Sequence, residues 1–337
     1  MKKKIILATL LSATAAISMA NFASASVSVS SPTTAKICKT ITNAYDATTA
    51  TFEYNFSTTA TGISGLPTGQ QIVFTNEAYD SNHEVNKCID VDITGITFAS
   101  NSPQQASISV TETAVSGYSA DTTTYTLLVD SRNTIDANNN ITGQVGTAYL
   151  QNASGTKLTQ FDFTSSKSYS NSSIQINKTV KGNAGDTEKL FKYTVNVTGT
   201  AGTTYSVYGA SAGSGSASSC TANSACIVYL KHGDSVRIGY NGTADQIPVG
   251  ETYVVTEETY SDYDTTVAVG GGAASTARTT GTQTVMPNSS ANVADFVNAK
   301  TSSTPTGIFI SIWPYVLLGA ISLGAVVYAK KAYSAKK

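Results

Sequence analysis

Charge is scarce in this 337-residue chain: Asp, Glu, Lys and Arg make up 13% of it and nearly cancel, leaving a net −1. No basic field is therefore available to hold nucleic acid. Histidine is rarer still, with only His83 and His232, so no Ser-His-Asp or Cys-His arrangement can be assembled convincingly. No phosphate-binding lysine loop occurs either, and nothing points to a turnover enzyme. The spacing of the four cysteines fits no zinc pattern. Asp136-Ala137-Asn138-Asn139-Asn140 lacks the glycine and distal glutamate of a calcium loop and reads as a polar turn. Neither metal nor cofactor is expected. Long helical periods are also missing between residues 26 and 300. Thr, Val, Tyr and Ile recur there in short alternating runs broken by Gly, Asn and Asp, which predicts an all-β fold.

The two ends differ from that middle. Three lysines in Met1–Lys4 precede an uncharged apolar stretch to about Ala20, followed by small residues, the pattern of a secretory signal peptide spanning residues 1–25. Residues 308–329 are apolar and uncharged, about the 20 residues a transmembrane helix needs, and residues 330–337 form a basic tail that places the C-terminus in the cytoplasm. Between domain and span, in residues 301–307, lies Ser303-Thr304-Pro305-Thr306-Gly307. Pro305, Thr306 and Gly307, followed by an apolar span and a basic tail, resemble the signal that sortases cleave between Thr and Gly. Leucine is missing from the usual pentapeptide and Pro directly precedes Thr. The expected product is secreted and anchored at the cell wall by way of a single-pass membrane precursor. A Ser/Thr stalk leading to a retained membrane helix is the alternative.

In an exported chain, cysteines favour disulfides. Cys220 and Cys226 flank a five-residue loop that suits a local bridge. Cys38 and Cys88 are then left to pair with each other, unless both remain buried thiols.

Self-similarity divides the middle into residues 26–170 and 171–300. Three motifs recur in one order. Ile37-Cys38-Lys39-Thr40-Ile41, Val110-Thr111-Glu112 and Asp162–Lys167 answer to Ile176-Asn177-Lys178-Thr179-Val180, Val255-Thr256-Glu257 and Asp295–Lys300. Strand alternation places Lys178 on the face of Ile174, Ile176 and Val180, Glu257 on that of Tyr253 and Val255, and Asn298 on that of Ala294 and Phe296. A lysine, a glutamate and an asparagine are thus directed into one core, where isolated charge is costly. Burial favours the neutral amine and the neutral acid, and a neutral amine is a nucleophile. Lys178 can attack the side-chain carbonyl of Asn298, with Glu257 polarising that carbonyl and shuttling protons, to leave a Lys–Asn isopeptide bond. A buried ion pair without covalent chemistry is the competing reading.

The repeat resembles the isopeptide-containing domains of major pilins of streptococcal type, over almost the whole chain. That resemblance implies two tandem immunoglobulin-like, Cna-B-like β-sandwiches. Carried over, it assigns Lys178 and Asn298 to the cross-link and Glu257 to the proton shuttle. The first domain keeps Lys39 and Glu112 but has Ser165 at the acceptor position, so no bond is expected there, and a Cys38–Cys88 bridge would supply substitute bracing. The family also joins a surface lysine of one subunit to the sorted threonine of the next, which makes Lys157 and Lys167 candidates. The implied partners are sortase, neighbouring pilin subunits or peptidoglycan, and the membrane before sorting. The expected role is a structural surface subunit, with a monomeric anchored adhesin as the alternative.

Overall fold

In a computed structural model the chain divides into two compact units, Met1–Tyr169 and Ser170–Lys337. The structure describes residues 26–99, 104–209 and 215–302, together with helical residues between Tyr315 and Lys331. The expected signal peptide, the Pro305-Thr306-Gly307 motif and the first part of the expected span lie outside the described residues. The helical residues carry exposed apolar side chains, including Leu318, Ile321, Leu323, Val326 and Val327. Among the described residues no helix is long and apolar enough to cross a membrane.

Unit 1 is all-β. Its strands are β1 (Val27–Ser31), β2 (Thr34–Thr42), β3 (Thr48–Ser57), β4 (Ile63–Ser64), β5 (Gln70–Glu77), β6 (Val85–Asp92), β7 (Thr97–Phe98), β8 (Gln104–Glu112), β9 (Tyr125–Ile135), β10 (Ile141–Gln151), β11 (Lys157–Leu158) and β12 (Phe161–Ser166). One sheet runs β4-β7-β1-β10-β9-β8-β3-β5, with β11 beside β10, and a second runs β12-β2-β6. Their inner faces supply a single core that includes Ile37, Phe52, Phe74, Ile108, Leu127, Phe161 and Phe163. The β9–β10 turn is built by Asp136, whose carboxylate accepts the amides of Asn138 and Asn140, both at 2.8 Å.

Unit 2 contains β13 (Ile174–Lys181), β14 (Phe191–Val197), β15 (Thr204–Tyr208), β16 (Ser219–Thr221), β17 (Cys226–Leu230), β18 (Ser235–Ile238), β19 (Thr252–Glu257), β20 (Asp264–Val269), β21 (Gln283–Thr284) and β22 (Val293–Ala299). They form the sheets β16-β15-β18-β13-β22-β20 and β17-β14-β19-β21. Buried residues alternate along β13, β14, β19 and β22 and meet in one core. Gly270-Gly271-Gly272 forms the turn that leaves β20.

In each unit the strand that opens the repeat lies parallel to the strand that closes it, β2 with β12 and β13 with β22. All four cysteines are paired. Cys38 and Cys88 face each other across β2 and β6, and Cys220 and Cys226 join β16 to β17.

Candidate functional site

Three strands of unit 2 deliver three polar side chains to one point in an apolar core. Lys178 on β13 is 1% exposed, and Glu257 on β19 and Asn298 on β22 are fully buried. The Lys178 Nζ donates to both carboxylate oxygens of Glu257 at 3.1 Å, and the Asn298 Nδ2 donates to Glu257 Oε1. Asn298 Oδ1 is buried with no hydrogen-bond partner among the described residues.

The backbone around Lys178 is fixed independently of its side chain. The β18 ladder ends at Asn177, and from there the turn before β18 takes over the edge of β13. Lys178 N–H donates to Asp234 O at 3.0 Å, Lys178 O accepts from Gly233 at 2.9 Å, and Val180 N–H donates to His232 Nδ1 at 3.0 Å. Just beyond β13, Gly182 has φ +91°, and a Cβ there would come within 2.1 Å of Lys300 O. Only glycine lets the ends of β13 and β22 approach so closely.

Burial sets the electrostatics. Desolvation pushes the Lys178 amine down to about 8 despite the adjacent carboxylate. The Tyr193 hydroxyl donates to Glu257 Oε2 at 3.2 Å, and burial followed by that carboxylate raises its pKa, so it remains a donor. The Lys178 Nζ lies 3.8 Å from the Phe191 ring centroid and 5.6 Å from that of Tyr193.

Phe191 and Tyr193 have counterparts in unit 1 that the motif comparison above missed. Phe52-Glu53-Tyr54 and Phe191-Lys192-Tyr193 each begin 13 residues after the buried lysine (52 − 39 and 191 − 178), and that constant spacing is the signal that could have found them. Tyr54 pairs directly across from Glu112, as Tyr193 does from Glu257.

In unit 1 the Lys39 Nζ donates to Glu112 Oε1 at 2.7 Å and to Ser165 Oγ at 2.6 Å, and lies 4.5 Å from the Phe52 centroid. The side chains of Lys39 and Glu112 are 0% and 2% exposed. Burial lowers the amine's pKa and raises the carboxyl's, so both are pushed toward their neutral forms.

The two candidate acceptor lysines differ. Lys167 is held by Asp46, donates also to Ala47 O at 3.3 Å, and has a side chain only 14% exposed. Lys157 is exposed, its Nζ 3.9 Å from the Tyr149 centroid, and it borders a groove of about 270 Å³ shared with Pro32, Lys36, Tyr149 and Leu158. Among the described residues no group of three or more His, Cys, Asp or Glu is placed to hold a metal ion.

Fold and site together define a chain of two all-β units, each burying a lysine–glutamate pair beside the strand that closes it, on β2 and β8 in unit 1 and on β13 and β19 in unit 2. The chain is similar to a Gram-positive pilin-type protein. A pilin of Streptococcus pyogenes serotype M1 is 31% identical over 110 residues, covering 32% of this chain and 31% of that one. The match thus spans about a third of the length of this curated relative. Residues 172–300 match the model of a family described as Domain of unknown function (DUF7601). Among solved structures, a major pilin from Streptococcus pyogenes is 20% identical over 80% of this chain and 99% of its own, with a TM-score of 0.35. A pilus-presented adhesin is 19% identical over 52% of this chain and 36% of its own, with a TM-score of 0.30.

Proposed function

We propose that this chain is a structural cell-surface subunit of pilin type, linked by sortase to neighbouring subunits or to the wall, and braced by a self-made isopeptide bond between Lys178 and Asn298. The observation that carries the reading is the buried meeting of Lys178, Glu257 and Asn298 on β13, β19 and β22. A fully buried amine, carboxyl and carboxamide are a poor stabilising device but a suitable reaction site.

The reaction begins when the proton shared by Lys178 and Glu257 moves to the carboxyl, leaving a neutral amine. Turning the Asn298 amide by 180° sets Oδ1 against Glu257 Oε1, where the protonated carboxyl donates to it. The Lys178 Nζ adds to Asn298 Cγ, a C–N bond forms, and Glu257 protonates the oxygen as charge develops. Glu257 then carries a proton from the former lysine nitrogen to the departing amide nitrogen, and takes back the hydroxyl proton as the carbonyl re-forms. The Cγ–Nδ2 bond breaks and ammonia leaves, with no oxidant or cofactor. The apolar walls, Phe191 above all, exclude water that would otherwise solvate the ammonium.

Intact mass of the reduced, purified protein tests the chemistry. The expected result is a deficit of one ammonia, lost in Glu257→Ala and in Asn298→Ala. No deficit in the unaltered protein refutes it. For assembly, wall extracts should show a ladder that survives boiling in detergent and disappears in Thr306→Ala. A single monomer-sized band would favour the anchored adhesin. Exposure and the groove beside it favour Lys157 over Lys167 as the lysine joined to the next subunit.

A further inference from the structure

We infer that unit 1 holds a second cross-linking site, dormant because it lacks only the acceptor carbonyl: Lys39, Glu112, Phe52 and Tyr54 are set to couple Lys39 to a carboxamide or carboxyl supplied at position 165. The inference rests on the cross-link chemistry proposed for unit 2.

Register carries the argument. In unit 1 Phe163 lies opposite Lys39 and Ser165 opposite Ile41. In unit 2 Phe296 lies opposite Lys178 and Asn298 opposite Val180. Ser165 therefore occupies the backbone position of Asn298, two residues beyond the lysine on a parallel neighbour. On the facing sheet, the Tyr54–Glu112 pairing reproduces Tyr193–Glu257. Four of the five side chains that surround the reaction in unit 2 are thus present in unit 1 at matching strand positions.

Distance adds a second, independent point. Ser165 is 1% exposed, and its Oγ is 2.6 Å from Lys39 Nζ. Serine Oγ and asparagine Cγ are both the first atom beyond Cβ. An asparagine that kept this rotamer would therefore hold its carbonyl carbon within reach of the amine, inside the near-attack range of about 3–3.5 Å after small relaxation. Glu112 Oε1 is already 2.7 Å from that amine and 3.4 Å from Ser165 Oγ. Glu112 and Tyr54 pair across β8 and β3, and Glu112 Oε2 and Tyr54 Oη are both buried without a hydrogen bond among the described residues. Serine itself offers no carbonyl, so Lys39 stays a free amine held by hydrogen bonds.

With Ser165→Asn, the Lys39 Nζ would add to the new carboxamide carbon, Glu112 would relay one proton from amine to leaving nitrogen, and ammonia would depart. With Ser165→Asp, water would depart instead.

The test is the intact and peptide-mapped mass of the full chain carrying Ser165→Asn or Ser165→Asp. The expected result is one additional loss, of ammonia or of water respectively, with a branched peptide joining the Lys39 segment to the 165 segment. Adding Glu112→Gln should abolish that loss. A protease-resistant protein that keeps the unit 2 deficit but gains none in either variant overturns the inference. Absence of the unit 2 deficit in the unaltered protein would instead sink the reading of unit 2, and a new loss at Lys39 would still support this one. If neither variant folds, the Lys39 Cε resonance of the unaltered protein decides. Titration below the ordinary lysine range supports an activated amine, and titration within that range overturns it.

Discussion

Pulling the chain from its two ends should extend unit 1 and leave unit 2 folded. In unit 2 the proposed bond joins β13 to β22, its first and last strands, so tension entering at one passes directly to the other. The 119 residues between Lys178 and Asn298 (298 − 178 − 1) never bear load. In unit 1 the covalent tie is placed differently. The order β12-β2-β6 sets the Cys38–Cys88 bridge between β2 and β6, while β2 and β12 are joined by no covalent bond, only by backbone hydrogen bonds and that of Lys39 with Ser165. The expected bridge is present, but it ties β2 to β6 and not to β12. It shortens the extensible length. From Val27 to Ser166 there are 139 residue steps (166 − 27), of which the bridge spans 50, leaving 89 to extend. At about 3.3–3.6 Å per residue this is roughly 300 Å of contour, and reduction should add roughly 170 Å. Glu257→Ala should release a second step of roughly 400 Å from unit 2. Single-molecule force spectroscopy of the full described chain, with and without reductant, measures all three. A unit 2 step in the unaltered protein, or a unit 1 step indifferent to reductant, would refute the reasoning.

Four further outcomes follow from the same geometry. The reactive pair holds one proton between Lys178 and Glu257, and burial puts loss of that proton at about pH 8. Cross-linking on refolding should therefore slow, not accelerate, as pH rises through 8, as read by quenched mass spectrometry. Tyr193→Phe removes the hydrogen bond that steadies Glu257 as it gives up its proton. Loss of a bond to a charged group, on the order of 1.5–3 kcal/mol, predicts cross-linking at least about tenfold slower, with an unchanged final mass deficit. Replacing Cys38 and Cys88 by Ser should destabilise unit 1 by about 4 kcal/mol on the chain-entropy account of a 50-residue loop, seen as a lower urea midpoint. Finally, Lys157→Arg should collapse the polymer ladder, whereas Lys167→Arg should leave it intact.

How much of this was legible in the chain depended on the period of each signal. On β13 and β22 a two-residue alternation with apolar neighbours shows which way Lys178 and Asn298 point, because reversing the face would expose Ile176 and Phe296. An internal copy of the pattern multiplies that information, since Lys39 and Glu112 occupy the same faces. Phe191 and Tyr193 escaped notice because buried aromatics are ordinary core material, and only their constant distance from the lysine sets them apart. Long-range pairing was illegible for another reason. Nothing local to Val27–Ser31 reveals that β1 lies between β7 and β10 in the larger sheet of unit 1, since that placement depends on residues about 70 and 120 positions away. The position of Cys88 on β6, rather than on a strand beside β12, is hidden in the same way, and with it the true mechanical meaning of the disulfide.

On the proposed reading, the two units divide the work of resisting force. A bond between terminal strands makes a domain inextensible, because unfolding requires breaking a covalent link and not a row of hydrogen bonds. A bridge between β2 and β6 leaves the β2–β12 seam as the element that yields, and limits how far the unit can open once it does. The buried Lys39–Glu112–Ser165 contacts stiffen that seam without locking it, since hydrogen bonds re-form when tension falls and an ion pair so deeply buried is costly to pull into solution one partner at a time. If the inference for unit 1 holds, a Ser at position 165 is sufficient to convert a permanent clamp into a reversible one. Refolding after a long extension, expected in unit 1 of the unaltered protein, and extension confined to the short segment before Lys39 in a cross-linked Ser165→Asn chain, would distinguish the two.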